Sequence, residues 1–365
     1  MSFGLRLKGW IAFAALGVWG ACASHGQEGD AGQAEGDVVG VGVGADRAEL
    51  TGEANVAIER GLEALARLQH PDGAFGSGRY GKNVAITSVA CLAFMADGNL
   101  PGRGRYGHVV EAGLEWLLDN QSDTGLFAAQ TSHGPMYGHG FATLFVAEAY
   151  GMTAMDGRDP LSLRLHDATI RATQLILRSQ NEEGGWRYNP VPFDADVSVT
   201  ICQVMALRSV RNAGLEVPRE TIDRAVEYVR ACQNDDGGFS YMLSSRGASA
   251  WPRTAAGVAT LFYAGEYEDA AVDGGIDYLM DNALPGSPGM SRAHLYYGHY
   301  YAAQAMFLAG GDAWATWWPA LRGELIRTQL ETGLWEDTSV SEEYGTAMAL
   351  ICLQMPKRYL PIFQK

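Results

Sequence analysis

The sequence predicts an all-α protein, an (α/α)6 barrel built from six helical-hairpin repeats, on three observations. First, a short phrase occurs five times: Gln, then Gly four residues on, then Phe or Trp two further. The copies run Gln69–Phe75, Gln121–Phe127, Gln180–Trp186, Gln233–Phe239 and Gln329–Trp335. Second, they begin 52, 59, 53 and 96 residues apart, and the long gap divides into 50 and 46 once Gly275–Ala283 is aligned with Gly113–Gln121. Ala283 then stands where a sixth Gln would be. Third, no stretch alternates with period two, so no sheet is expected. Self-similarity at this period means stacked supersecondary units.

The elements follow in order. Residues 1–23 read as a signal peptide: Arg6 and Lys8 form a charged start, Trp10 to Trp19 an uncharged and mostly apolar run, and Ala21-Cys22-Ala23 a small-residue cleavage site. The run is short of the roughly 20 residues that span a bilayer, so the chain is expected to be exported, with Cys22 as an alternative site for a lipid anchor. Residues 24–52 are rich in Gly, Ala and acidic groups and read as a disordered tether. The barrel is expected over 53–365. In each unit an amphipathic helix comes first; in the second, Val110, Gly113, Leu114, Leu117 and Leu118 share a face opposite Glu111, Glu115 and Asp119. The Gln ends that helix, the Gly turns the chain, and the aromatic closes the turn over apolar surface. A second helix follows, apolar nearly all round: Val84–Met95, Phe141–Tyr150, Val197–Val210, Ala255–Tyr263, Tyr300–Ala309 and Tyr344–Leu353. Such helices are buried. The first helix of each pair is therefore outer and the second inner, and a closed double ring needs no polar end caps, unlike an open array.

Charge and cysteines narrow the function classes. The net charge is −15 and no basic block occurs, which argues against nucleic acid and against an anionic membrane surface; peripheral contact with a membrane stays open. Cys91, Cys202, Cys232 and Cys352 form no C-x-x-C pair, and each lies in an apolar helical stretch, as a small hydrophobe or as half of a disulfide whose partner sequence does not name.

The repeated phrase resembles the QW repeat of squalene–hopene and oxidosqualene cyclases, in the superfamily that also holds the β subunits of protein prenyltransferases. The resemblance covers about Glu53 to Met355. It implies an (α/α)6 barrel with a hydrophobic central cavity for isoprenoid chains. It also singles out Asp194-Ala-Asp196, at the start of the third inner helix, as similar to the Asp-x-Asp-Asp motif whose middle Asp protonates an alkene. Asp196 then takes the donor's position and Asp194 that of its neighbour, while Val197 replaces the last Asp. Prenyltransferase β subunits bind zinc through Asp-x-Cys, which is absent here; no metal and no cofactor are expected. The cyclases carry two α-barrels, and this chain has room for one. From the residues alone, either Asp could simply cap the helix.

Inner-helix starts in a ring share one mouth. Tyr137, His139, Tyr188, Tyr296, His299, Tyr300, Glu343 and Tyr344 are expected to gather there as substrate-binding groups. Three functions compete. One is an exported protein that binds an isoprenoid-type lipid and protonates or cyclises it, with terpene cyclase-like or prenyltransferase-like activity. A second is a non-catalytic repeat scaffold for a lipid or a partner protein. The third is a carbohydrate-active (α/α)6 enzyme, which needs two carboxylates about 5–9.5 Å apart across a groove.

Overall fold

The computed structural model describes residues 50–130, 132, 134–153 and 160–364. The signal peptide and nearly all of the tether read from sequence lie outside the described residues; Leu50 packs against the core and Thr51 caps the first helix. Among the described residues the structure is all helical, with twelve α-helices and no strand. They are α1 (Gly52–Ala66), α2 (Val84–Met95), α3 (Gly107–Asp119), α4 (Met136–Thr153), α5 (Pro160–Ser179), α6 (Val197–Asn212), α7 (Arg219–Ala231), α8 (Trp251–Ala264), α9 (Ala270–Asn282), α10 (Leu295–Ala309), α11 (Gly311–Thr328) and α12 (Glu342–Gln354). None of these is long and apolar enough to cross a membrane.

The even-numbered helices form the inner ring. α2 packs on α4, α4 on α6, α6 on α8, α8 on α10, α10 on α12, and α12 returns to α2, so the ring is closed. Burial follows: α2, α6, α10 and α12 are buried on nearly every side, whereas α7 buries only Thr221, Ala225, Val226, Tyr228 and Val229.

The repeated phrase builds the seams. Each Gln side-chain amide donates twice: to the carbonyl of its own repeat Gly, and to a carbonyl in the outer helix of the next hairpin. Gln69 reaches Val109 at 2.9 Å, Gln121 reaches Ala168 at 2.8 Å, Gln180 reaches Thr221 at 2.8 Å and Gln233 reaches Ala271 at 2.8 Å. Gln329 reaches Ala57 of α1 at 2.9 Å and joins the last hairpin to the first. The Gly is required twice over. Gly184 has φ +100°, and a Cβ there would lie 2.2 Å from the Arg224 carbonyl oxygen on α7. The aromatic sinks into the hairpin, and its backbone N–H donates to a Thr on the inner helix, as Phe75 does to Thr87 and Trp186 to Thr200. Trp186 and Trp335 also donate their indole N–H to the outer-helix carbonyls of Ile176 and Leu325, each at 2.8 Å.

The inner ring is plugged at the C-terminal ends of its helices. Leu360, Ile362 and Phe363 are buried there, and Ile362 N–H donates to the buried Glu148 carboxylate at 3.2 Å while Ser209 donates to its other oxygen. Burial pushes the Glu148 carboxyl up to about 7, against those two bonds. Cys91, Cys202, Cys232 and Cys352 are buried free thiols.

Candidate functional site

With the far end sealed, the ring opens at the N-terminal ends of its inner helices. A cavity of ≈ 680 Å³ occupies that mouth. Its wall is aromatic: Tyr80, Tyr137, Phe141, Tyr188, Tyr297 and Tyr344. Most of these belong to turns or to the first turn of a helix. Phe141, in the second turn of α4, is itself buried, and its ring lies 6.0 Å from that of the fully buried Tyr300. Arg79, Asn189 and His294 add polar groups at the exposed rim. Arg79 stacks over the Tyr80 ring at 4.8 Å, and His294 holds a left-handed backbone, φ +55°, at the cap of α10. An apolar aromatic interior beneath a polar rim suits an amphiphilic or apolar small molecule.

The residues expected to gather at the mouth divide. Tyr137, Tyr188 and Tyr344 line the cavity. His139, Tyr296, His299, Tyr300 and Glu343 are buried elsewhere. His139 takes the place that Thr87 and Thr200 hold in their hairpins: Nδ1 accepts the Phe127 N–H at 3.2 Å, and Nε2 donates to the Ala172 carbonyl at 3.2 Å. Burial holds its imidazole down to about 4, so this ring is a neutral seam group. His299 lies in α10 with Nε2 3.5 Å from Glu324 of α11 and its ring 5.3 Å from Trp251. Glu343 accepts from the Ser77 hydroxyl at 3.0 Å.

Asp194 and Asp196 meet at Arg187. Asp194, one third exposed, pairs directly with the guanidinium. Asp196 is wholly buried and caps α6: Oδ1 accepts the Val199 N–H at 2.8 Å, as Asn83 caps α2 and Ser341 caps α12. Oδ2 makes no such bond; Arg187 Nε stands 3.6 Å away, beyond hydrogen-bond reach. Burial raises the Asp196 carboxyl to about 6, while the Val199 N–H bond and the nearby Tyr241 hydroxyl and Arg187 charge pull the other way. The cap therefore uses one oxygen and leaves a protonatable one. Tyr241 and Arg187 escaped the sequence reading. A signal existed: Tyr188 and Tyr241 each follow a repeat aromatic by two residues, where the first, second and last phrases have Ser77, Ala129 and Asp337.

Comparison with known proteins agrees with this architecture. The Prenyltransferase alpha-alpha toroid domain profile matches residues 49–216, and the Squalene-hopene cyclase C-terminal domain profile matches 162–302. A terpene cyclase–glycosyl transferase fusion protein from Humicola fuscoatra is 28% identical over 208 residues, 49% of this chain; the match spans about 15% of that relative's length. Among solved structures, the type II terpene cyclase MstE from Scytonema, in complex with merosterolic acid A (product), superposes with TM-score 0.56 at 15% identity, over 84% of this chain and 97% of that one. Cellobiose 2-epimerase from Bacillus thermoamylovorans superposes with TM-score 0.61 at 13% identity, over 84% and 99%. At such identities the likeness is one of fold. The two profiles overlap at residues 162–216 and together match 49–302; with the repeated seams and the closed inner ring they make the chain similar to the prenyltransferase alpha-alpha toroid and squalene-hopene cyclase C-terminal domains.

Proposed function

We propose that this protein binds an isoprenoid-type molecule in its mouth cavity and protonates it, with Asp196 as the store of the proton. The observation that carries the reading is an aromatic-walled cavity, one of whose tyrosines, Tyr297, donates to the Ser198 carbonyl at 3.2 Å, two residues along from a buried carboxyl, Asp196, that keeps one oxygen without a hydrogen-bond partner. Aromatic faces suit polyprene chains and any cationic charge that develops on them. Burial that raises the Asp196 carboxyl to about 6 keeps roughly a tenth of it protonated at pH 7, where an ordinary Asp is almost wholly ionised. MstE, on the same fold, is described with a geranylgeranyl dihydroxybenzoate substrate, which makes a prenylated substrate the natural first probe. Export remains part of this proposal as its cellular setting, with a lipid anchor at Cys22 as the alternative to a cleaved signal peptide.

The carbohydrate reading draws on the epimerase and on an alpha-1,6-mannanase from Salegentibacter sp. that share the fold. Against it, Asp337 is the one carboxylate among the described residues lining the cavity, so no facing pair is present.

The test is mass spectrometry of hydrophobic molecules retained by the purified chain, followed by incubation with geranylgeraniol and with squalene. A retained polyprene, or turnover of either probe that Asp196→Asn abolishes, is the expected result. Asn keeps the cap, as Asn83 does, so folding survives the change. A clean protein that ignores both probes overturns the reading and leaves the non-catalytic scaffold.

A further inference from the structure

The loop between the third repeat aromatic and α6 runs Arg187-Tyr-Asn-Pro-Val-Pro-Phe-Asp194. Between its charged ends it carries no ionisable group but the Tyr188 phenol, and two of its apolar side chains stand out in water: Phe193 is 85% exposed and Val191 55%. The display is rigid. Val191 N–H donates to the Asn189 carbonyl at 2.8 Å, and Phe193 N–H to the Val191 carbonyl at 2.9 Å. These bonds close two successive three-residue turns centred on Pro190 and Pro192, whose fixed φ suits them. The base of the loop is pinned from three sides. Asp194 pairs with Arg187, the Tyr188 carbonyl accepts the Met136 N–H of α4 at 3.1 Å, and the Tyr188 hydroxyl bonds that of Tyr241. Tyr188 and Asn189 belong to the cavity wall. The loop therefore rises from the lip of the mouth and ends in a bare phenyl ring.

We propose that residues 188–193 form a prong that dips Val191 and Phe193 into a bilayer of zwitterionic lipid and sets the mouth against it, so that the ligand passes from the membrane over Tyr188 into the cavity. The proposal rests on the isoprenoid reading above for what enters, and on the loop alone for the contact. Area and position favour a lipid surface over a protein partner. A stable protein interface buries about 800 Å² on each side, far more than two side chains supply, whereas a bilayer asks for apolar area and no complementary shape. The prong also adjoins the cavity, and an isoprenoid dissolves in a bilayer rather than in water. Charge selects the kind of bilayer. The chain is −15 overall, and Arg187, the cation at the base of the prong, is already paired with Asp194, so no free cation of the loop meets anionic lipid. Two side chains give a weak and reversible contact, as a protein that takes up its ligand and leaves requires.

The test begins with co-sedimentation of the full chain, Phe193→Ser and Val191→Ser with phosphatidylcholine vesicles. Both side chains stand outside the core, so the variants keep the fold. Each should weaken binding, Phe193→Ser by roughly tenfold or more, and replacing part of the phosphatidylcholine with phosphatidylglycerol should weaken it further. The deciding readout is local and independent of residues 1–23. In Phe193→Trp, the fluorescence added over that of the unmodified chain should be quenched by phosphatidylcholine brominated along its tails. Added fluorescence that bromine leaves untouched overturns the prong. So does self-association without vesicles that Phe193→Ser abolishes, which makes the patch an interface between two copies. The two readings fail separately. A chain that retains a polyprene but shows no quenching loses the prong and keeps the isoprenoid reading. Quenching in a chain that retains no polyprene and converts neither geranylgeraniol nor squalene supports the contact and overturns the isoprenoid reading.

Discussion

Five seams of this ring are closed by a neutral glutamine and the sixth by charge. Where Gln69, Gln121, Gln180, Gln233 and Gln329 each hold the next outer helix by its backbone, Ala283 offers nothing. The seam between α9 and α11 is held instead by Glu324, reaching back from α11. It accepts the Gly286 N–H at 2.9 Å, faces Arg292 at 3.4 Å, and lies 3.5 Å from the buried His299. The same hairpin has lost the repeat aromatic, so His299 has no aromatic N–H to accept, although His139 does that task at its own seam. A worn repeat has thus been replaced by an ion pair. The contrast separates what the phrase is for from what the site is for: its Gln and Gly fasten helices, and neither enters the cavity.

The sharpest way to break a neutral seam is at the glycine. Gly184→Ala imposes a side chain at φ +100° and drives a Cβ to 2.2 Å from the Arg224 carbonyl oxygen, which should cost on the order of 4 kcal/mol, as strain plus overpacking. Urea unfolding measures it; a loss below 1 kcal/mol would mean that α7 can retreat freely. Next comes the charged seam. Glu324→Ala strips the Gly286 N–H of its acceptor and Arg292 of the carboxylate it faces, for about 2–3 kcal/mol. Hydrogen exchange should rise at α9 and α11 and leave α3 to α7 unchanged. Gln329→Ala is milder, about 1–2 kcal/mol, because it removes neutral hydrogen bonds without forcing strain on the backbone. Its exchange signature should appear at α1 and α11, the two helices that this Gln joins.

The ring was legible in the sequence because its joints are local. Gln, Gly and aromatic sit within seven residues, and each copy reports one hairpin. The cavity was partly legible: Tyr137, Tyr188 and Tyr344 sit near inner-helix starts, and those starts share a mouth. The histidines misled for a physical reason. A polar residue one turn into an inner helix can face the cavity or the turn behind it, and His139 and His299 face backward, as Thr87 and Thr200 do. Asp196 was ambiguous for the opposite reason. A carboxylate has two oxygens, and here one caps the helix while the other stays free. Tyr241 was marked only by its place two residues after a repeat aromatic; its partner Tyr188 lies in another hairpin, and no spacing along one chain segment encodes which loops converge over a helix start.

The smallest effect tests the comparison by pH. His299, Arg292 and the Gly286 N–H hold the Glu324 carboxyl below its ordinary value of 4.5 in spite of its burial, with His299 the largest influence. A carboxyl lowered on folding stabilises the fold fully above 4.5, and that contribution is lost as pH falls through the lower folded value. Glu148 and Asp196 act with the opposite sign. Both are raised, to about 7 and about 6, so their ionisation weakens the fold as pH rises from their unfolded values toward those figures. The overall profile therefore sums opposed trends and cannot be assigned by itself. The difference between the unmodified chain and Glu324→Gln can be, because the amide keeps an acceptor for Gly286 and removes only the titration. Unfolding free energies of the two should differ by a constant above about pH 5 and converge as the pH falls below 4.5. Parallel curves down to pH 3 would show that the sixth seam is held by hydrogen bonding alone, like the other five, and the contrast between charged and neutral seams would collapse.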